Sequence, residues 1–144
     1  MSLSPKHYLQ QIRSTQAAVK IKSDIRYAQS YALSSQKRTR VAFSASTNNY
    51  SIYVEPSPGS WSIISDPLTK TNFTVNLGIG EYYGINIVGA NFGGTSDGLV
   101  FDAAGKPYSC SSGGGSITAL SSQGVVTLSE GVTVTVEPNT GKVQ

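Results

Sequence analysis

The stretch that decides the fold is Asp24–Ser44, DIRYAQSYALSSQKRTRVAFS. It begins with small and apolar residues at helical spacing and ends with the alternating pattern of a β-strand. The change of period falls at a junction that carries three cations, Lys37, Arg38 and Arg40. The sequence therefore predicts a helix that runs directly into a strand, and it raises the question of what the cations at the junction do.

Upstream of the junction, no glycine occurs between Pro5 and Gln36, and a proline is tolerated in the first turn of a helix. A helix is predicted over residues 5–36, with one stripe packed on a sheet: Ala18, Ile21, Ile25, Ala28 and Ala32. At 100° per residue, a second apolar set falls on the opposite side: Leu9, Ile12 and Val19. We therefore predict that the second half of the helix packs on its own domain, while the first half has no partner within the chain.

Downstream of the junction, short runs rich in Val, Ile, Thr and Tyr are separated by Gly, Pro, Asn and Asp. This pattern predicts about eight antiparallel strands. The fold class is α+β, with the long N-terminal helix packed on the sheet. Helix residues 1–36 and a β-rich head of residues 37–144 are predicted to form one domain, and residues 1–4 are interpreted as an expression remnant.

Charge is distributed unevenly along the chain. Residues 1–40 carry eight cations and one acid, a net charge of +7, while residues 41–144 carry three cations and seven acids, a net charge of −4. Two interpretations of the basic junction follow. Lys37, Arg38 and Arg40 either contact nucleic acid or form a solvated helix end that complements the negative end of the helix dipole, worth about 0.3–1 kcal/mol. The junction lacks the interleaved aromatic residues and the motif of a nucleic-acid site, which favours the second interpretation.

The sequence offers little material for catalysis. His7 is the single histidine, at the start of the helix, and Cys110 is the single cysteine, which we place in a Ser/Gly-rich loop. A triad, a zinc site and an internal disulfide are therefore not predicted. We expect no enzymatic activity, no cofactor and no small-molecule substrate.

Four segments, taken in order, resemble a family of type IV pilin-like minor pseudopilins that includes the H-type pseudopilin of type II secretion and its FimT-like relatives. IRYAQSYALSSQKRTRVAF resembles the family's helix exit, and PGSWSIISDP, with Gly59, Trp61 and Asp66, resembles its tryptophan-containing hairpin. LVFDAAGKP, with Phe101 and Gly105, resembles a late strand and turn, and VTVTVEPNTGKV resembles the terminal valine strand and its Thr140–Val143 ending. Three features depart from the family pattern. The family's Gly-Phe cleavage site, with a glutamate five residues into a hydrophobic helix, does not occur in this sequence, as we expect if the sequence begins after that segment. Gln29 stands where the family often has arginine, and the basic C-terminal tail of the FimT-like DNA binders is replaced by Lys142 alone.

The resemblance implies a structural subunit of a type II secretion pseudopilus or a type IV pilus-like filament. Such subunits sit in the bacterial inner membrane through a single apolar helix with a methylated N-terminus, and their heads lie in the periplasm. We expect that membrane segment upstream of Lys6, and we expect Leu9, Ile12 and Val19 to contact other pilin or pseudopilin subunits.

Two other functions stay open at this point. One is a DNA-binding minor pilin of natural transformation that uses Lys37, Arg38 and Arg40. The other is a soluble carbohydrate-binding or hydrolytic β-domain that uses exposed rings, for which the sequence offers Tyr50, Tyr53 and Trp61. The helix argues against the soluble domain, because such a domain gains nothing from a long helix with an unpartnered apolar face.

Overall fold

The computed structural model describes residues 5–93, 96–111 and 116–144. Helix α1 spans Pro5–Ser35, and ten strands follow in these ranges: β1 Thr39–Ser44, β2 Asn49–Ser57, β3 Ser60–Ile63, β4 Thr74–Asn76, β5 Ile87–Asn91, β6 Gly98–Phe101, β7 Pro107–Cys110, β8 Ile117–Ala119, β9 Gly124–Leu128 and β10 Thr133–Val136. Two 3₁₀ turns, Gly80–Tyr82 and Ser129–Gly131, lie before β5 and β10. The predicted α+β class is confirmed, with ten strands among the described residues in place of about eight.

The strands form two sheets. The larger has the order β3-β2-β1-β6-β7-β8, with β4 also pairing with β2, and the smaller has the order β10-β9-β5. Neighbouring strands in both sheets are antiparallel. Strand β1 lies inside the larger sheet, where Arg40 faces Tyr53 of β2 on one side and Val100 of β6 on the other.

The helix ends at a local signal rather than at a glycine. Gln36 has a φ of 56°, in the left-handed region that commonly follows a helix, and its Nε2 donates to the carbonyl of Leu33 at 2.8 Å. Three residues later Thr39 begins β1, and its buried hydroxyl donates to the carbonyl of Ala28 at 2.8 Å. This bond fixes the start of β1 against the last turns of the helix.

The predicted helix stripe is buried. Ala18, Ile21, Ile25, Ala28 and Ala32 are enclosed in one core cluster with side chains from both sheets. The larger sheet contributes Val41, Ile52, Leu99 and Phe101 to this cluster, and the smaller sheet contributes Val126 and Val134. The helix therefore packs on two sheets and not on one.

The prediction that the first half of the helix has no partner within the chain is wrong. The hydroxyl of Ser14 is buried and donates to the carbonyl of Ser129 at 2.6 Å, and Ala17 is fully buried. This contact was missed because the packed positions are a serine and an alanine, which carry little hydrophobic signal. The larger apolar residues Leu9, Ile12 and Val19 are not part of it.

Gln29 connects the helix to the turns at the ends of both sheets. Its Nε2 donates to the carbonyl of Gly105 at 2.8 Å and to the carbonyl of Thr140 at 3.0 Å. Gly141 has a φ of 70°, and a Cβ there would lie 2.8 Å from Gln29 Nε2 and 2.8 Å from Phe101 Cε1. The terminal turn thus requires glycine both for its backbone and for its close approach to the helix.

A polar contact is buried beneath the helix beside this core. The hydroxyl of Tyr50 donates to Asp24 Oδ2 at 2.6 Å, and the ammonium of Lys20 lies 3.2 Å from Asp24 Oδ1. Burial raises the pKa of Asp24 above its usual range, while the bond from Tyr50 and the charge of Lys20 act in the opposite direction. Burial is also the main reason that the pKa of Tyr50 is raised well above its ordinary value.

We predict that Ile25→Asp costs several kcal/mol of unfolding free energy, because it places an unpaired charge in the fully buried contact between helix and sheets. The matched control is Val19→Asp, an exposed position on the same helix, which should cost no more than about 0.5 kcal/mol. Chemical denaturation of both variants measures the difference. Equal losses would contradict the assignment of the two helix faces.

A second prediction concerns pH. Because the folded pKa of Asp24 lies above the ordinary value of 3.8, its contribution to stability is complete below pH 3.8 and is lost as pH rises through the folded pKa. Asp24→Asn keeps an acceptor for Tyr50 and removes this loss. Its unfolding free energy relative to the unmodified chain should therefore rise between about pH 3 and about pH 7 in denaturant titrations. A relative stability that falls over this range would contradict the prediction.

Candidate interaction face of the helix and the basic junction

An apolar face of α1 remains in solvent. The exposed fractions of Leu9, Ile12 and Val19 are 45%, 38% and 60%, and that of Tyr8 is 60%. Tyr8, Ile12 and Val19 lie within about 40° of one another around the helix axis. Sequence reasoning missed Tyr8, although its position four residues before Ile12 is the spacing that would have revealed it.

The apolar residues of this face lie mostly in the first half of the helix, with Leu33, 46% exposed near the C-terminal end, as the exception. A shallow depression there is lined by Tyr8, Gln11, Ile12, Thr15 and Gln16. Beyond Val19 the same side of the helix presents exposed Ser23, Arg26 and Ser30. The structure therefore places a cluster of apolar residues in the first half of one exposed face and mainly polar residues in the second half.

At the basic junction, the three cations have three different environments. Lys37 is exposed. Arg38 donates from Nε and Nη2 to the two carboxylate oxygens of Glu55, each at 2.7 Å. This hydrogen bonding is the main cause that lowers the pKa of Glu55 and raises that of Arg38.

Arg40 is only 6% exposed and lies between two aromatic rings. Its guanidinium carbon is 4.5 Å from the ring centroid of Tyr53 and 4.9 Å from that of Trp61. The interpretation of the junction as a solvated helix end is therefore wrong for Arg40. Because Arg38 is paired and Arg40 is enclosed, Lys37, Arg38 and Arg40 do not form one continuous basic surface.

Two further expectations are corrected. Tyr50 is fully buried against Asp24, so it is not an exposed ring for a carbohydrate. Cys110 lies at the end of β7 and is buried, and not in the Ser/Gly-rich loop where the sequence placed it. Burial raises the pKa of its thiol, and the nearby Arg40 guanidinium opposes that shift.

The remaining residues that could take part in catalysis or metal binding are dispersed over the described part of the structure. His7 Nε2 lies 3.0 Å from a carboxylate oxygen of Glu130. Within the described ranges, no group of three or more His, Cys, Asp or Glu side chains is arranged to hold a metal ion. Among the same residues, no helix combines the length and the apolar character needed to cross a membrane.

Solved structures with a similar fold include subunits of a secretion system and of a type IV pilus. The minor pseudopilin EpsH from the type 2 secretion system of Vibrio cholerae aligns with a TM-score of 0.62 and 10% identity, over 92% of this chain and 94% of EpsH. A second EpsH structure gives a TM-score of 0.54 and 11% identity, over 88% of this chain and 95% of that one. The type IV minor pilin FimU of Pseudomonas aeruginosa aligns at a TM-score of 0.46 and 17% identity, over 95% and 90% of the two chains.

The identities to EpsH are low, so these likenesses establish the fold alone, and the likeness to FimU is too distant to carry an argument. No curated protein matches the chain in sequence. The fold is that of a pilin-like subunit with a helical spine and an antiparallel head. The model of the family described as type II transport protein GspH matches residues 17–141, so the chain belongs to the GspH family. The prediction of a pseudopilin of the type II secretion or pilus-like class is thereby confirmed.

Because Lys37 is the one exposed cation of the three, we predict weak DNA binding that fades steeply between about 50 and 200 mM salt, as expected for phosphate contacts alone. Fluorescence anisotropy with labelled duplex and single-stranded DNA over a salt series measures this. Submicromolar affinity at physiological salt, lost on combining Arg38→Ala with Arg40→Ala in a folded protein, would contradict the prediction and favour the DNA-binding pilin.

Proposed function

We propose that this protein is a structural subunit that assembles with other pseudopilin subunits through the first half of α1. The observation that carries the proposal is the apolar face of Tyr8, Leu9, Ile12 and Val19, which is exposed on the side opposite the buried stripe. Contiguous exposed apolar surface commonly marks a site of interaction with another protein. Here it lies on a regular helix, a surface suited to packing against further helices.

The head holds this face rigidly. At 1.5 Å per residue, the 31 residues of α1 extend about 46 Å. Hydrogen bonds from Ser14, Gln29 and Thr39 attach the helix to the head at points along its length. A contact made through the helix therefore sets the orientation of the whole head, which is what an ordered assembly requires.

We further infer that the head lies in the periplasm and that the native protein is held in the bacterial inner membrane by a single apolar helix. Membership of the type II transport family supports this location. The proposed role is assembly, so it requires neither catalysis nor a cofactor or small-molecule substrate. The DNA-binding alternative receives no support from the separated cations of the junction.

The test uses lysine substitutions on the exposed face of the full-length protein. We predict that Ile12→Lys and Val19→Lys leave the head folded, because neither side chain belongs to its core. Assembly should fail, because each change places an unpaired charge between packed helices. Thermal unfolding of the purified protein and filament formation or secretion in cells are measured on the same variants.

The matched control is Ser30→Lys, which adds the same charge on the same side of the helix but in its polar half. Assembly that survives Val19→Lys and fails with Ser30→Lys would contradict the proposed interface. Unfolding of the purified head by Val19→Lys would also contradict it, because Val19 would then serve the head's own core.

A further inference from the structure

Three hydrogen-bond donors without partners meet on the outer face of the larger sheet. Arg40 Nε, Arg40 Nη1 and Trp61 Nε1 are all buried, and none has a hydrogen-bond acceptor among the residues that the structure describes. The thiol of Cys110, which lies near the guanidinium, is only a weak acceptor. Leaving a buried donor unsatisfied costs about 1–3 kcal/mol, and more for a charged group. All three atoms are donors, so the group that would satisfy them is an acceptor.

The position of Arg40 follows from strand geometry. Thr39 points to the helix, where its hydroxyl bonds to Ala28, and side chains alternate along a strand. Arg40 therefore projects from the opposite face of the sheet, beside its cross-strand partner Tyr53. The rings of Tyr53 and Trp61 hold the guanidinium by cation–π contact, which fixes its plane but accepts no N–H hydrogen bond from its edge.

The neighbouring arginine, Arg38, has the kind of hydrogen-bond partner that the buried nitrogens of Arg40 lack among the described residues. Arg38 lies two residues earlier, immediately before β1, and both of its bonding nitrogens reach the carboxylate of Glu55 at 2.7 Å. The residue of β2 opposite Arg40 is Tyr53, so β2 offers Arg40 a ring in place of an acid. Arg38 thus has a carboxylate partner within the chain. Arg40 carries the same guanidinium group but has no carboxylate partner among the described residues.

Arg40 also lines a groove of about 360 Å³ that follows β1 across Ala42 and Ser44. The groove walls include Ser51 and Asn49, whose hydroxyl and amide groups bond to Thr74, Thr47 and Asn76 and retain further hydrogen-bonding capacity for a peptide backbone. Asp97 lines the groove beside Phe43, about 10 Å along the strand from Arg40 at 3.3 Å per residue.

The positive charge of Arg40 and the negative charge of Asp97 together determine which kind of anion fits the groove. A planar guanidinium pairs best with a planar carboxylate, with two parallel hydrogen bonds. The carboxylate of Asp97 repels a polyanion such as a nucleic-acid backbone and favours an amine or an amide N–H at that end. A peptide segment with an acidic side chain satisfies both ends of the groove.

We propose that Arg40, Tyr53 and Trp61 recognise the carboxylate of an aspartate or glutamate side chain on a partner subunit, whose extended segment lies in the groove along β1. Only the identity of the partner as a subunit rests on the proposed function. The groove faces away from α1, so this contact is separate from the contact made by the exposed helix face. Trp61 is half-buried on the edge strand β3, and we expect its ring to shift when the carboxylate enters.

Trp61 is the only tryptophan of the chain, so the tryptophan fluorescence of the protein reports directly on this site. The probe is a short capped serine-rich peptide that carries one glutamate and one lysine, compared with the same peptide carrying glutamine in place of glutamate. Tryptophan fluorescence and the indole N–H resonance of the whole chain follow the titration. We expect saturable changes with the glutamate peptide and binding weaker by about tenfold or more with the glutamine peptide.

The variants separate this site from general electrostatics. Arg40→Gln should abolish the response, and Lys37→Gln, which removes the same charge from an exposed neighbour, should preserve it. Circular dichroism verifies folding. If Arg40→Gln does not fold, Arg40→Lys keeps the charge but not the planar fork, and it should weaken binding of the glutamate peptide by about tenfold.

Several outcomes would overturn the proposal. Equal binding of the glutamate and glutamine peptides would exclude carboxylate recognition, and so would loss of binding in Lys37→Gln. If inorganic phosphate or a single-stranded oligonucleotide binds more tightly than the glutamate peptide, the ligand of the site is a phosphate group and not a carboxylate. If glucuronate binds more tightly than the glutamate peptide, the partner is an acidic sugar and not a protein. None of these results bears on the helix face, so this proposal and the assembly role fail independently.

Discussion

The structure depends on the docking of one helix face onto two sheets. Ile21 and Ile25 are fully enclosed in a core to which both sheets contribute, and the small residues Ala18, Ala28 and Ala32 allow the helix to approach closely. Without this contact, the two sheets would lose the element that both of them pack against. Gln29 reinforces it at one end by bonding to a turn of each sheet, and Ser14 reinforces it at the other.

Because the sheets cover only one side of α1, the opposite side is available for another purpose. Apolar residues are concentrated in the first half of that side, at Tyr8, Ile12 and Val19, whereas the second half carries mainly polar residues and a single exposed leucine, Leu33. A helix that served only the head would be expected to be polar along its whole exposed side. The apolar half therefore fits a subunit whose helix packs against other helices, consistent with membership of the GspH family.

Sequence periodicity predicted the helix, its buried stripe and the antiparallel head, because these depend on repeated apolar positions. It failed where a contact depends on single polar or small residues. Ser14 and Ala17 give no apolar signal, so the packing of the first half of the helix was missed. The sequence does not predict the burial of Tyr50, because its partner Asp24 lies 26 residues away and the proximity of the two is set by tertiary structure alone.

The basic junction is a second place where local sequence does not predict the contacts of individual side chains. Three cations in four residues suggest a shared surface, but Lys37 precedes β1, and the neighbouring strand supplies different partners to Arg38 and Arg40. Which acid or ring stands opposite each arginine depends on the register between β1 and β2. That register is a property of the folded sheet, and no local pattern near residue 40 encodes it.

Cysteine cross-linking in assembled filaments tests the two-sided helix most directly. The single native cysteine is buried in β7, so Val19→Cys and Ser30→Cys each introduce one accessible thiol on the same side of α1. We predict that Val19→Cys forms cross-links to neighbouring subunits under conditions in which Ser30→Cys, in the mainly polar half, does not. Efficient cross-linking from Ser30→Cys, with none from Val19→Cys in filaments that assemble normally, would contradict it.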